Sequence, residues 1–259
     1  MKSFYHFIAL SLSLTLVYSA ANATEDRTLN EILQKHLEAM GGLNNWSRIE
    51  SIQMNGTIER GGQTVDIVIV KKQPNQIRAT VTVPIPGNED EAFQIIRAHD
   101  GKTAWTATRL AGAPEMQKEA LSQEAADELL ADAGVFPPLI KLWRNSAKLK
   151  LAGTKYIDST PHFIIRVTPK ELPNEYTFYV SAESLLVTQY ESTSPINGTT
   201  VTQLENYTEQ QNVRIPTLNI IQSQQTGDSI MTTSSIKIGV GIYEEYFELG
   251  DPAPSTAKL

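Results

Sequence analysis

Hydrophobic positions change their period twice along the chain. From Thr28 they fall at intervals of three and four (Leu29, Ile32, Leu33, Leu37, Met40), which places them on one face of a helix. Thr28 and Glu31 have capping-box spacing at its start, and Gly41-Gly42 supplies the left-handed conformations that end helices. One amphipathic helix of about three to four turns is predicted, with its stop inside "EAMGGLNNW". After Trp46 the period drops to two. "SIQMNGTIE" alternates Ile52, Met54, Gly56 and Ile58 with polar partners, Gly61-Gly62 turns the chain, and "TVDIVIVKK" alternates Val65, Ile67 and Ile69 with Asp66 and Val68. "IRATVTV", closed by Pro84 and Pro86, then "AFQIIRAH", the turn Asp100-Gly101 and "KTAWTATRL" continue an antiparallel meander.

From about Pro114 to Ser146 the pattern turns helical again. This stretch is rich in Ala, Glu and Leu, with helices predicted near 115–132 and 138–146 and breaks at Gly134 and Pro137-Pro138. Strands then resume from "KLKLAGTKYI" to "DSIMTTSSIKIGV". The predicted class is α+β: a large curved antiparallel sheet, an incomplete β-barrel of about ten or eleven strands, covered by the N-terminal helix and the helical lid insertion. Alternate residues of each strand would line its inner face, for example Phe163, Ile165 and Val167, or Tyr176, Phe178 and Val180. Such side chains either fill the interior or line a cavity, and spacing does not separate the two.

The first residues change the picture of where the protein works. Lys2 precedes an apolar run from Phe7 to Val17 that ends in Ala21-Asn22-Ala23. This predicts a secretory signal peptide over residues 1–23, cleaved after Ala23, because the run is too short for a membrane span. A single domain is expected over 24–252, with the helical lid at about 114–146 and a flexible tail at 253–259. Loss of Lys2 with the signal takes the formal charge from −7 to −8, a sign that disfavours nucleic acid and anionic lipid surfaces as partners. There are no cysteines, so neither disulfides nor a lipid-modified N-terminal cysteine is available. A monomer without a transmembrane segment in its mature chain is expected.

Candidate chemistry is sparse. "DGKT" at 100–103 ends like a phosphate-binding loop, but the first glycine of that motif would fall at Ile96, so Asp100-Gly101 reads as a hairpin turn. His36, His99 and His162 have no zinc-ligand spacing, so no metal is expected. No Gly-x-Ser-x-Gly elbow is present, and no pair of carboxylates is singled out among Asp66, Glu175, Glu205 and others. No cofactor or catalytic residue is predicted. Four Asn-x-Ser/Thr acceptors, at Asn45, Asn55, Asn197 and Asn206, read as turn residues.

The order of these elements resembles a known family. "EAMGG", "RIESIQMNGTIE", "KKQPNQIRA", "DGKTAW", the helical insertion, "TFYVSAESLLV", "LENYTEQQNVRIPTLNIIQ" and "IKIGVGIYEEYFELGDP" together resemble the periplasmic lipoprotein-carrier superfamily of the LolA/LolB type, in particular its outer-membrane lipoprotein-sorting relatives. The resemblance implies a soluble periplasmic protein that holds the acyl chains of a lipid or acylated lipoprotein, taking cargo from an inner-membrane release complex or giving it to an outer-membrane acceptor. It implies a binding face of Ile67, Ile69, Ile77, Val81, Trp105, Phe163, Ile165, Tyr176 and Phe178 on the sheet, with Leu129, Leu130, Phe136, Leu139 and Trp143 from the lid. Family carriers place an arginine before the proline of the second hairpin to hold the lid; here Gln73 precedes Pro74, leaving Lys71, Lys72 or Arg78 to substitute. A cell-envelope interaction domain without lipid cargo, and a hydrolase with a dispersed site, are the alternatives.

Overall fold

The computed structural model describes residues 28–113 and 117–249. The expected signal peptide and tail lie outside the described residues. Residues 28–39 form helix α1, whose Leu29, Ile32, Leu33, His36 and Leu37 are buried along the predicted face. Gly41 and Gly42 stop it at φ +108° and +82°, with Gly42 N–H donating to the Leu37 carbonyl (2.8 Å). The chain does not pass straight into a strand there. A further helical turn, α2 (Leu43–Ser47), carries Trp46 into the core, where its indole N–H donates to the Met40 carbonyl (2.9 Å).

Thirteen antiparallel strands form one sheet. They are β1 (Ser51–Arg60), β2 (Gln63–Lys72), β3 (Gln76–Ile85), β4 (Asn88–His99), β5 (Ala104–Leu110), β6 (Gln117–Ala120), β7 (Lys148–Ile157), β8 (Thr160–Thr168), β9 (Glu175–Ser181), β10 (Val187–Ser194), β11 (Gly198–Gln210), β12 (Val213–Ser223) and β13 (Ser229–Ile238). The count exceeds the predicted ten or eleven. The short β6 is one reason: its Ala/Glu-rich sequence reads as helix, yet it pairs with β5 from Trp105↔Ala120 to Thr108↔Gln117. The first insertion helix, α3 (Gln123–Asp132), consequently begins later than predicted, and α4 covers Pro138–Arg144.

Spatial order runs β6-β5-β4-β3-β2-β1-β13-β12-β11-β10-β9-β8-β7. Two meanders therefore meet where β1 pairs with β13, and the two edges are β6 and β7, strands adjacent in sequence. Open twisted sheets of more than about ten strands curl. This one curls without closing, and the α3–α4 insertion is the connection between its unpaired edges. The α3 segment lies beside β3, β4 and β5, while α4 buries Leu139, Ile140 and Leu142 against α1 and the other half of the sheet. The insertion is thus a strap across the inner face.

Strand register divides the residues between the two faces. Lys71, Ile69 and Ile67 on β2 pair with Ile77, Ala79 and Val81 on β3, all on the inner face. Arg78, Ala98 and Trp105 pair in a row on the outer face, where Ile96, Ala98, Trp105 and Ala107 form a small core with Leu249. The inner face carries two larger cores. One sets Leu29, Ile32, Leu33, Leu139 and Leu142 against Ile165, Val167, Tyr176, Phe178 and Val180. The other sets Leu37, Met40, Trp46, Val135 and Ile140 against Ile52, Val213 and Ile215.

Candidate functional site

Between these two cores, beneath the strap, the inner face is not filled. A half-enclosed cavity of about 250 Å³ lies against β1–β3 and β9–β13. Its walls are chiefly apolar: Ile52, Met54, Ile69 and Ile77 from the first meander, Leu204, Ile215, Ile221 and Met231 from the second, Met40 and Trp46 from the corner, and Val135, Phe136 and Leu139 from the strap. Phe178 and Tyr190 contribute an aromatic wall, with ring centroids 5.6 Å apart.

The predicted site residues divide into five groups. Ile69, Ile77, Phe136, Leu139 and Phe178 line the cavity. Ile67 and Val81 stand on the same inner face, next along β2 and β3. Phe163, Ile165 and Tyr176 belong with the filled core under α1 and α4, and Trp143 packs half-buried between both inner cores. Leu129 and Leu130 are half-buried on α3, Leu130 beside a minor recess of about 70 Å³ near Lys141. Trp105 lies elsewhere, fully buried on the outer face, its indole N–H donating to the Phe247 carbonyl (2.7 Å). Alternation within a strand defines two faces but does not say which is inner, and Trp105 falls on the other one.

Of the residues named for lid control, Gln73, Lys72 and Arg78 make their side-chain hydrogen bonds away from the strap, whereas Lys71 feels the charge of Asp132 at the end of α3. Gln73, joined to Pro74 by a cis peptide bond, donates its side-chain N–H to the Ile49 carbonyl. Arg78 points outward, over the Tyr246 ring (4.2 Å) and onto the Tyr246 carbonyl (2.9 Å). The strap is held instead by its own lysine and by backbone. Lys141 Nζ donates to the carbonyls of Leu130 (2.6 Å), Ala131 (3.1 Å) and Ala133 (2.7 Å) at and just past the C-terminal end of α3. Gly134, at φ +78°, donates its N–H to the Gln76 carbonyl (3.2 Å). A Cβ at Gly134 would come within 2.6 Å of the Pro74 carbonyl oxygen, so the strap rests on the Pro74 turn through a contact only glycine permits.

Several polar residues also line the cavity and were not among the predicted ones. His36 Nδ1 meets the Leu185 carbonyl at 2.7 Å, so it carries the proton and Nε2 presents a lone pair; burial lowers the imidazole pKa, keeping it neutral. Lys71 has its pKa lowered by burial, with Asp132 partly opposing. Burial, then the Asp132 charge, pushes the Tyr190 phenol up to about 12. Tyr207 donates to the Val187 carbonyl (2.7 Å), and Thr202, Arg214, Asn219 and Thr233 also stand on the lining. Two of these had a legible signal: Lys71 continues the inward phase of Val65, Ile67 and Ile69, and His36 sits on the apolar face of α1. Asp132 is the one carboxylate on the lining, so no carboxylate pair flanks the space. Among the described residues, no three of His, Asp or Glu converge as a metal site would require.

Solved structures resemble this thirteen-stranded open sheet in overall fold. A LolA superfamily protein from Nitrosomonas europaea matches with a TM-score of 0.56 at 15% identity, over 83% of this chain and 96% of that one. The fold is LolA-like. A DUF1329 family protein from Desulfovibrio piger matches at a TM-score of 0.54 and 12% identity, over 84% of this chain and 95% of its own. A domain assigned as an outer membrane lipoprotein-sorting protein, from Vibrio parahaemolyticus, matches at 0.52 and 13%, over 84% and 94%. No protein-family model matches the sequence, nor does any curated protein. At such identities the LolA likeness speaks for the fold, and the site must be argued from this chain's own side chains. No helix among the described residues is long and apolar enough to cross a membrane.

Proposed function

We propose that the protein is a periplasmic carrier that shields the acyl part of a lipid or lipoprotein from water, without catalysing a reaction on it. The observation that carries this reading is the apolar cavity held open between the inner face and the strap of a LolA-like sheet. At roughly 30 Å³ per methylene-sized group, taking the volume per water as a guide, about eight such groups fit. At about 0.8 kcal/mol each, their burial would offset about 6 kcal/mol of hydrocarbon exposure.

The rest of a chain has a path to follow. Ile67 and Val81 extend the apolar row beyond Ile69, and in register with them stand Ile95, Phe93 and Leu110, three large apolar side chains left exposed. Loading requires the strap to move, since Phe136 and Leu139 wall the cavity from above. The amino-terminal signal read from the sequence supplies the route to the periplasm, and the likeness to a lipoprotein-sorting domain supports this class of cargo.

The test is binding of a fluorescent fatty-acyl probe by protein purified from a bacterial periplasm, with native mass spectrometry of what co-purifies. Ile69→Asn puts an amide into the wall at a half-buried position and is expected to weaken probe binding about tenfold or more, while the protein stays folded. If the folded variant and the parent bind the probe equally, the cavity is not the site. Absence of any acyl binding and of any co-purifying lipid counts against the carrier itself.

A further inference from the structure

The carrier reading above leaves the head of the cargo undefined. Resting on it, we infer that the cavity takes an amphiphile with a single acyl chain and an anionic head, carboxylate or phosphate, that pairs with Lys71.

Charge in the cavity is unbalanced. Lys71 reaches in from β2 and Arg214 from β12, whereas Asp132 is the single carboxylate on the lining. Asp132 also acts on Lys141, which already sits among three carbonyls, so one acid faces a surplus of cations. Among the described residues no carboxylate comes within ion-pair distance of Lys71. An ammonium group in an apolar cavity is costly when unpaired, and an anionic ligand would remove that cost.

Unmatched acceptors add a second requirement, a head that also carries hydroxyl donors. The His36 Nε2 and Asn219 Oδ1 atoms are buried without a protein partner, and both residues line the cavity. A wholly hydrocarbon occupant would leave both unsatisfied, as would an ionised carboxylate, whereas the glycerol hydroxyls of a lysophospholipid head can donate to them. Lys71, Ile69 and Ile67 stand in one row on the inner face of β2, so a head at Lys71 leads its chain directly onto apolar wall. The cavity volume of about 250 Å³ lies just below the roughly 300–1,000 Å³ of typical ligand sites, room for part of one chain and not for the several chains of a lipoprotein anchor.

The experiment compares palmitate, palmitoyl lysophosphatidylglycerol and cetyl alcohol as competitors of the fluorescent probe, with a triacylated lipopeptide alongside. The parent protein is expected to bind at least one of the two anions about tenfold more tightly than the alcohol, the tighter anion naming the head group. Lys71→Met should bring the affinities for the anions down to the one the same variant has for the alcohol, and Lys71→Arg should restore the preference. Melting curves establish that each variant is folded, and the head-group comparison in the parent needs no variant. Equal affinity for all three ligands, or a preference that survives Lys71→Met, overturns the inference and leaves the carrier reading standing. Tighter binding of the triacylated lipopeptide overturns the single-chain assignment in the same way. If none of the four competes or binds, it is the carrier reading that fails.

Discussion

Lys141 shows how one side chain can set a pH response. Its amine ends α3 by donating to three carbonyls, but burial, reinforced by the neighbouring Lys71 charge and opposed by Asp132, lowers its pKa to about 8. In the unfolded chain the same group titrates near 10.4. Between those values the unfolded chain binds the proton that the native protein has released, so stability rises with pH through that window. Below it both states are protonated, and the native state bears the full cost of the buried charge. A shift of this size corresponds to about 3 kcal/mol. Urea unfolding at about pH 7.5 and pH 9.5 should therefore show the parent gaining more stability than Lys141→Met, in a range that ends before the buried tyrosines ionise. An identical pH response in both proteins would show that Lys141 is not the titrating group. Phase alone places Ile69, Ile77 and Phe178 on the inner face, and the structure brings all three to the cavity wall. Lys71, named only for lid control, and His36 share that inward phase, but a polar residue among apolar ones does not read as part of a binding wall.

At the scale of elements, the corner "EAMGGLNNW" holds the first helix against the far half of the sheet. Its two glycines look alike in sequence and differ in surroundings. A Cβ on Gly41 would fall 2.1 Å from the Asn212 carbonyl oxygen and 2.8 Å from Val213 Cα, while one on Gly42 would meet nothing within 4 Å. Both have positive φ, so alanine at either position bears the conformational cost of roughly 1–3 kcal/mol. Only Gly41→Ala must also push α1 away from the β11–β12 turn, disturbing the Arg214 N–H to Met40 carbonyl bond (3.1 Å). Gly41→Ala is expected to lower Tm clearly more than Gly42→Ala, and equal losses in thermal melts would refute that close packing. The helix stop was legible because glycine pairs have few other uses after an amphipathic run. The extra turn α2 was not: five residues carry too little periodicity, and it is Trp46, buried and bonded to Met40, that holds the turn. Strand β6 was hidden for a related reason, since its pairing with β5 is tertiary and its residues favour helix.

Across the whole molecule, the alternating pattern predicted two meanders with a helical insertion between them, and that much follows from local chemistry. Which strands become edges does not, because it depends on β1 meeting β13, a pairing between residues nearly two hundred positions apart. Once that pairing forms, the inner face has α1, α2 and the strap to cover it, while the outer face of β1–β6 has no α-helix among the described residues, only the 3-10 turn Glu244–Tyr246. The last described segment supplies the cover. It crosses those strands nearly one after another: the Val240 carbonyl accepts from Ser51 on β1, Ile242 from Lys72 on β2, Tyr246 from Arg78 on β3, Phe247 from Trp105 on β5 and Glu248 from Lys118 on β6. Glu244 adds an ion pair with Lys72 and accepts from Gln76. Phe247 is fully buried at the centre of this crossing. Truncating it to alanine should cost about 3 kcal/mol or more, as for other buried phenylalanines, and a chain of this size should then lose on the order of 10 °C in Tm. Because the cavity lies on the opposite face, acyl-probe affinity below the new Tm should stay within about twofold of the parent, a change of under half a kcal/mol. A Phe247→Ala protein that melts like the parent would mean that this segment does not hold the outer face. One that stays folded but loses the probe would mean that the two faces of the sheet are coupled, and that the strap and the C-terminal crossing control the cavity together.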